Sequence, residues 1–474
     1  MRCFGAVIPG PWLAESATLN RRLAGRPMPV SVAIVGAGPA GFYTAEALLQ
    51  TLPGVQIDFI EKLPTPYGLI RAGVAPDHQT TKNVARKFER TAQRESVQYF
   101  GNVEVGRDVQ LAELREIYDA VVLAVGSAGD RYMGIPGEDK EGVYGSAVFV
   151  GWYNGHPDFS SLHPHLDTTT AVVIGNGNVA LDIARVLVKT QAEMEASDIA
   201  PYAAEAIYGS ALTDVHLLGR RGPLNAKFTN VELRELAALA DAVPVVNPAD
   251  LPVQIGPAAG KAGRLQEKNL ATLRDFATGH ATATRKRVRF RFNALPVEIL
   301  GDHRVRGLRF ERSRVEHGRA VGTGEYEAIR CGLVVVAIGY RAAPIPGVPF
   351  DPDRGHIPNS DGRVAPGLYA VGWAKRGASG IIATNRPDGV VCSEQISADV
   401  GIAQKPAGQK PGRDALERLL AKRHVVAVSF ADWQQIDAAE MAAGGGIAPR
   451  RKFTTLDEML RVITLRAQRR SGGA

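Results

Sequence analysis

The sequence predicts an α/β fold built on parallel sheets. Two observations point to it. Apolar strand-like runs alternate with helical runs along the chain, and two of those strands break into glycine-rich turns that lead straight into helices. Size adds a third, because 474 residues exceed one ordinary core and imply two or three domains. With 45% hydrophobic and 22% charged residues the chain can bury a sizeable core, and no apolar run reaches the roughly 20 residues of a membrane span. No repeat of 20 to 50 residues recurs, which argues against a solenoid.

Residues 1–29 come first and carry Arg2, Arg21, Arg22 and Arg26 against one acid, Glu15. A basic, acid-poor leader is the composition of a transit peptide, which would imply the mitochondrial matrix. This one has little amphipathic pattern, and Met28 offers a natural start. The expectation is therefore a disordered extension on a cytoplasmic protein.

The stretch VSVAIVGAGPAGFYTAEALL, from Val30 to Leu49, reads as a strand over 32–35, a turn, and a helix over 40–50. Gly36 suits the tight turn, Gly38 lets backbone approach a pyrophosphate, and Gly41 allows close helix–strand packing. The helix N-terminus adds free N–H groups and the positive end of a dipole. The next strand, 56–60, runs into Glu61, 20 residues after Gly41, where a carboxylate can accept hydrogen bonds from a ribose. That acid strengthens an otherwise weak motif into a Rossmann-like dinucleotide site.

A strand over 120–124 leads into GSAGDRYMGIPGED, a Gly- and Pro-rich candidate crossing between domains. The second unit, AVVIGNGNVALDIARVL, places a strand over 171–174, the turn Gly175 and Gly177, and Ala180 at the packing position of a helix over 178–189. After the strand 215–218, HLLGRRGP puts Arg220 and Arg221 where a ribose-binding acid would otherwise stand. Guanidinium groups there suit a 2′-phosphate and hence NADP. From Ala180 to Arg220 is 40 residues, so 191–213 is read as an insertion. A helix over 230–240 and a strand over 333–338 follow, then a second crossing, GYRAAPIPGVPFDPDRG, and a surface linker over 403–413 before a last helical segment.

Two sites of different preference suit a resident FAD and a visiting NADPH, with hydride passing between them. The three cysteines, Cys3, Cys331 and Cys392, form no C-x-x-C pair, which argues against a disulfide reductase, an iron–sulfur cluster or a zinc site. They are expected to be small buried hydrophobes, and no metal is expected. The net charge of +7 comes with no nucleic-acid module, so it points to anionic cofactors or an acidic protein partner.

Longer stretches carry a family resemblance. LPTPYGLIRAGVAPDHQTTKNV, LLGRRGPLNAKFTNVELREL, GWAKRGASGIIATN and GIAPRRKFTTLDEML resemble adrenodoxin reductases and the related bacterial NADPH-ferredoxin reductases, from about Val30 to near the C-terminus. The resemblance implies a glutathione reductase-like pair of Rossmann-like domains, with an NADP domain (130–340) inserted between two segments of an FAD domain (30–129 and 341–474). It implies FAD contacts from Ala40, Glu61, Leu69, Val105, Trp373, Gly380, Ile381 and Ile382. For NADP it implies Arg131, Asn176, Gly177, Asn178, Val179, Arg220, Arg221, Glu232 and Gly380. Small Gly380 would let two rings approach, and Trp373 offers a flat face or, equally, plain core packing. His78 and Glu235 fall in matching motifs as a proton relay near the flavin, or His78 is an ordinary hydrogen-bonded loop histidine.

The sequence also has departures. Many two-domain flavoproteins have Gly-Asp after LYAV, the acid holding the flavin's ribityl or phosphate part, whereas here Gly372 is followed by Trp373, as in the adrenodoxin reductase type. Gly41 stands where some relatives have alanine. The implied acceptor is an acidic ferredoxin or adrenodoxin-like iron–sulfur protein, with Arg234, Arg274, Arg285, Lys286 and Arg287 as candidate docking cations or, equally, a solvated face. Two other readings stay open: a flavoprotein like the small subunit of glutamate synthase, which would need a cysteine-rich N-terminal region, and a regulatory protein that binds NADPH without turnover.

Overall fold

A computed structural model describes residues 29–254, 260–279, 285–402 and 410–471. The leader to residue 28, with Cys3, and most of the expected linker (403–409) lie outside the described residues.

Two six-stranded sheets organise the chain. The first runs Arg363–Ala365, Leu368–Ala370, Ala120–Leu123, Ser31–Val35, Gln56–Ile60, Val97–Phe100, parallel throughout except between its first two strands. Val32, Ala33 and Ile34 are fully buried, because helices cover both faces; such a strand reads as a continuous apolar run. Ser31–Val35 pairs with Gln56–Ile60 on one side and Ala120–Leu123 on the other, so the strand order reverses beside Gly36, at the kind of crevice where α/β sheets bind ligands.

The second sheet runs Val143–Gly145, Leu333–Val336, Thr170–Ile174, Asp214–Leu218, Lys286–Arg291, Ala242–Val246, all parallel. Here the order reverses beside Gly175. The 191–213 segment forms two short helices, Gln191–Met194 and Pro201–Tyr208. The helix expected over 230–240 stops at Glu235 and tightens into a 3₁₀ turn, Leu236–Ala238, where the chain bends into the edge strand Ala242–Val246. A three-stranded antiparallel sheet, Ala294–Leu300, Gly307–Glu316 and Arg319–Arg330, lies outside the sequence expectations, because its central strand Gly307–Glu316 and its edge strand Arg319–Arg330 carry charges on an exposed face instead of an apolar run.

The two Gly- and Pro-rich crossings run side by side: Gly129–Asp130 pairs antiparallel with Tyr340–Arg341. The helix Asn385–Ile402 returns to the first sheet and packs on Pro39–Thr51. A Cβ on Gly389 would stand 2.8 Å from the Thr44 nitrogen, so only glycine allows that approach. Phe430, Trp433, Ile436 and Met459 from the last helices join the same core. Cys331 and Cys392 are free and buried, and burial pushes both thiols up to about 12. Among the described residues no helix is long and apolar enough to cross a membrane.

Candidate functional site

The first glycine turn is built as its spacing requires. Gly36 sits at φ +103°, and a Cβ there would lie 2.6 Å from the Ala124 carbonyl oxygen; on Gly41 it would lie 2.3 Å from the Gly36 oxygen. At Gly38 the nearest atom to such a Cβ is the Gly68 Cα at 3.9 Å, so two glycine backbones face each other across a gap. Gly38 caps the helix Pro39–Thr51 with no side chain, leaving first-turn N–H groups for an anion. By contrast, hydroxyls cap the helices that begin after Thr190, Thr229 and Ser429. Glu61 accepts from the Ala37 N–H at 2.8 Å and the Leu63 N–H at 3.3 Å, which aims its carboxylate at the turn. Close packing there raises its pKa, and the backbone bonds oppose the rise. This cradle fits a dinucleotide pyrophosphate and ribose.

Leu69 follows Gly68 and is 42% exposed, Ala40 is buried in the helix, and Val105 is half-buried behind the sheet. Trp373 begins the short helix just after the strand Leu368–Ala370 and stacks on Tyr340, with centroids 5.6 Å apart. Its indole N–H donates to the Ser379 carbonyl. Asp388 accepts from the Gly372 N–H at 3.2 Å and pairs with Lys375 and Arg376. Gly372 itself has φ +66°, and a Cβ there would stand 2.6 Å from the Ala40 Cβ. The loop beyond holds Gly380 at φ +84°, Ile381 67% exposed, and Ile382 packed on the first core. Sequence reasoning missed Tyr340 and Asp388.

The second turn repeats the first. Gly175 lies at φ +147°, where a Cβ would stand 2.2 Å from the Ala337 oxygen; Gly177 has open space around it and caps Asn178–Val188 without a side-chain bond. Asn176 fills the hollow over Gly219, and the Asn178 side chain accepts from the Thr229 N–H at 2.8 Å. Val179 is half-buried in the first helical turn. Arg220 is exposed with no side-chain partner among the described residues, and Arg221 donates to the Gly318 carbonyl. Arg131 binds the Tyr340 and Arg354 carbonyls across the paired crossings.

Residues 30–234 match the family described as pyridine nucleotide-disulphide oxidoreductase. The human mitochondrial NADPH:adrenodoxin oxidoreductase is 43% identical over 91% of this chain and 91% of its own length. The chain belongs to the adrenodoxin reductase family. The NADPH-ferredoxin reductase FprA of Mycobacterium tuberculosis is 42% identical over 92% of this chain and 99% of its own, and its NADPH complex superposes with a TM-score of 0.88.

In this adrenodoxin reductase family member, His78, which precedes the short helix Gln79–Lys82, and Glu235, which ends the helix Asn230–Glu235, meet with 2.8 Å between Nε2 and Oε2. They belong to a larger ionic cluster. Arg185, completely buried, makes a bidentate contact with Asp77 at 2.8 and 3.0 Å and pairs with Asp182 at 2.8 Å and Glu235 at 3.1 Å. Lys189 adds a second cation on Asp77. Glu232, carried over as an NADP contact, lies here too, 3.5 Å from His78 Nε2. Burial alone would lower the His78 pKa, but the bond to Glu235 and the nearby Asp182 and Asp77 outweigh it and raise the pKa against the pull of Arg185. Burial and the Asp182 charge push Glu232 up to about 7. Glu235 is held low by His78 and Arg185 despite burial. His78, Asp182 and Glu232 lie close enough together to hold a metal ion, yet the cation these carboxylates share is Arg185. Sequence reasoning missed Arg185, Asp77 and Asp182.

The expected docking cations fare unevenly. Arg274 binds the Pro252 and Val253 carbonyls, Arg285 pairs with Asp241, Arg287 lies 3.8 Å from Asp214, and Lys286 is half-buried. Arg234 stays exposed without an ion-pair partner among the described residues.

Proposed function

We propose that the chain is an FAD-dependent NADPH-ferredoxin oxidoreductase. The observation that carries this is the pair of uncapped glycine turns in one molecule, one answered by a carboxylate, Glu61, and the other by arginines, Arg220 and Arg221. When bound, FAD supplies acceptance of a hydride from NADPH and delivery of single electrons to an iron–sulfur partner. The chain's own residues do the rest. Gly36, Gly38, Ala40, Gly41 and Glu61 hold the pyrophosphate and ribose of FAD, with Leu69, Val105, Gly380, Ile381 and Ile382 around it. Gly177 and the N–H groups at Asn178 and Val179 hold the pyrophosphate of NADP, with Asn176 and Arg131 beside it, and Arg220 and Arg221 select the 2′-phosphate. Trp373 and Tyr340 wall the crevice with flat apolar surface that excludes water. His78 and Glu235 keep a proton between the two dinucleotide sites. The partner is an acidic ferredoxin, which a chain of net charge +7 attracts.

The test is cytochrome c reduction by purified, FAD-loaded protein, with and without ferredoxin, comparing NADPH with NADH. A rate that requires ferredoxin and prefers NADPH is expected. Flavin bleaching by NADPH with no transfer to any ferredoxin would refute the reading.

A further inference from the structure

The antiparallel hairpin of the second domain has no part in the activity derived above, yet it converges on the two arginines expected to read the 2′-phosphate. Ser313, 6% exposed in the strand Gly307–Glu316, donates its hydroxyl to the Arg220 carbonyl at 2.8 Å. The Asn293 N–H donates to the Arg221 carbonyl, and the Ser313 N–H donates in turn to the Asn293 carbonyl at 2.9 Å. At the hairpin tip, His317 and Gly318 both lie at positive φ, and the Gly318 carbonyl accepts from the Arg221 guanidinium at 3.3 Å. The strands around the tip pair in register, Arg314 with Val321 and Glu316 with Arg319, so the tip is presented on a regular ladder.

Two backbone carbonyls and one guanidinium of the arginine pair are thus held by hairpin and neighbouring strand, independently of any nucleotide. Ordering the chain around an anion costs conformational freedom, and a scaffold that fixes the backbone of both arginines and the Arg221 guanidinium beforehand reduces that cost. Resting on the reading of Arg220 and Arg221 as the 2′-phosphate site, we infer that the hairpin Gly307–Arg330 is the element that sets NADP over NAD specificity, with Ser313 as its positioning residue and the Gly318 carbonyl as its outer contact.

Calorimetric titration of the FAD-loaded protein with NADP+ and NAD+ tests this by affinity and needs no turnover. Ser313→Ala removes one hydrogen bond to a carbonyl, and the expected effect is a Kd for NADP+ raised about fivefold, with the Kd for NAD+ changed less than twofold. A trimmed hairpin, in which residues 315–320 are replaced by Asn-Gly, keeps Ser313 and closes the turn on the hydrogen-bonded Arg314/Val321 pair but deletes the Gly318 carbonyl; it should also weaken NADP+ selectively. Ser313→Thr, which keeps the hydroxyl, should retain the wild-type ratio. Unchanged ratios in both Ser313→Ala and the trimmed hairpin, or equal losses for both nucleotides, would overturn the inference. A variant carrying Arg220→Ala with Arg221→Ala separates the two levels: if it still discriminates, the 2′-phosphate reading itself fails.

Discussion

Arg185→Met is the most demanding perturbation the structure suggests. Arg185 is wholly buried, and its bidentate partner Asp77 is only 8% exposed, so removing the guanidinium strands a carboxylate that water reaches poorly. Breaking a buried ion pair by deleting one partner costs about 3–5 kcal/mol. Lys189 still sits 2.8 Å from Asp77, which argues for the lower end, about 3 kcal/mol. At roughly 2–4 °C per kcal/mol, melting temperature should fall by about 6–12 °C, measured by scanning fluorimetry on FAD-loaded protein at pH 7. Arg185 and Lys189 hold the Asp77 pKa below the ordinary carboxylate range. Its contribution is therefore present above the unfolded value near 3.9 and is lost as pH falls through the folded value, so the gap between wild type and variant should narrow in acid. Adding Asp77→Asn to Arg185→Met should recover part of the loss, a coupling of about 1–3 kcal/mol, because the stranded charge is gone. A melting temperature for Arg185→Met within a degree of wild type at pH 7, or a double variant worse than the sum of its parts, would refute the argument.

Three further outcomes follow from single contacts. Glu61→Ala leaves the Ala37 N–H without its 2.8 Å acceptor, at a cost of about 1–3 kcal/mol; the FAD dissociation constant of reconstituted apoprotein should rise roughly 10- to 100-fold, less for Glu61→Gln, and an unchanged constant would remove Glu61 from the site. Gly372→Ala forces an L residue to φ +66° and a Cβ to 2.6 Å from that of Ala40, together about 2–4 kcal/mol; full FAD content with an unaltered melting temperature would contradict this. Because the folded pKa of Glu232 is raised to about 7, above the ordinary glutamate value of about 4.3, its carboxyl costs stability progressively as pH rises from the unfolded value to the folded one, and the cost is complete above about 7. Glu232→Gln should match wild type near pH 4 and exceed it by about 1 kcal/mol, discounted for partial exposure, at pH 8, and melting curves that stay parallel across that range would count against the raised pKa.

What the sequence made legible was whatever a short stretch constrains by itself. Gly36 and Gly175 announce themselves because each position forbids a Cβ, and the strand before each and the helix after it follow within a dozen residues. The strand Lys286–Arg291 did not, since KRVRFR buries only alternate residues at the far side of a sheet, and its meaning depends on partners at 214–218 and 242–246. Asp77 and Arg185 are 108 residues apart, so no window contains both. A trace was nonetheless present: Asp182, Arg185 and Lys189 recur at spacings of three and four in an otherwise apolar helix, which puts charges on one face where burial without an opposing charge would be prohibitive. That pattern demands a partner and leaves its identity to the tertiary fold. The partner turns out to be the loop that carries His78, reached from the first sheet. The helix Asn178–Val188 therefore has its N-terminus at the second glycine turn and its charged face against the segment that follows the first, and through this one rigid element two turns far apart in sequence hold a fixed relation in space.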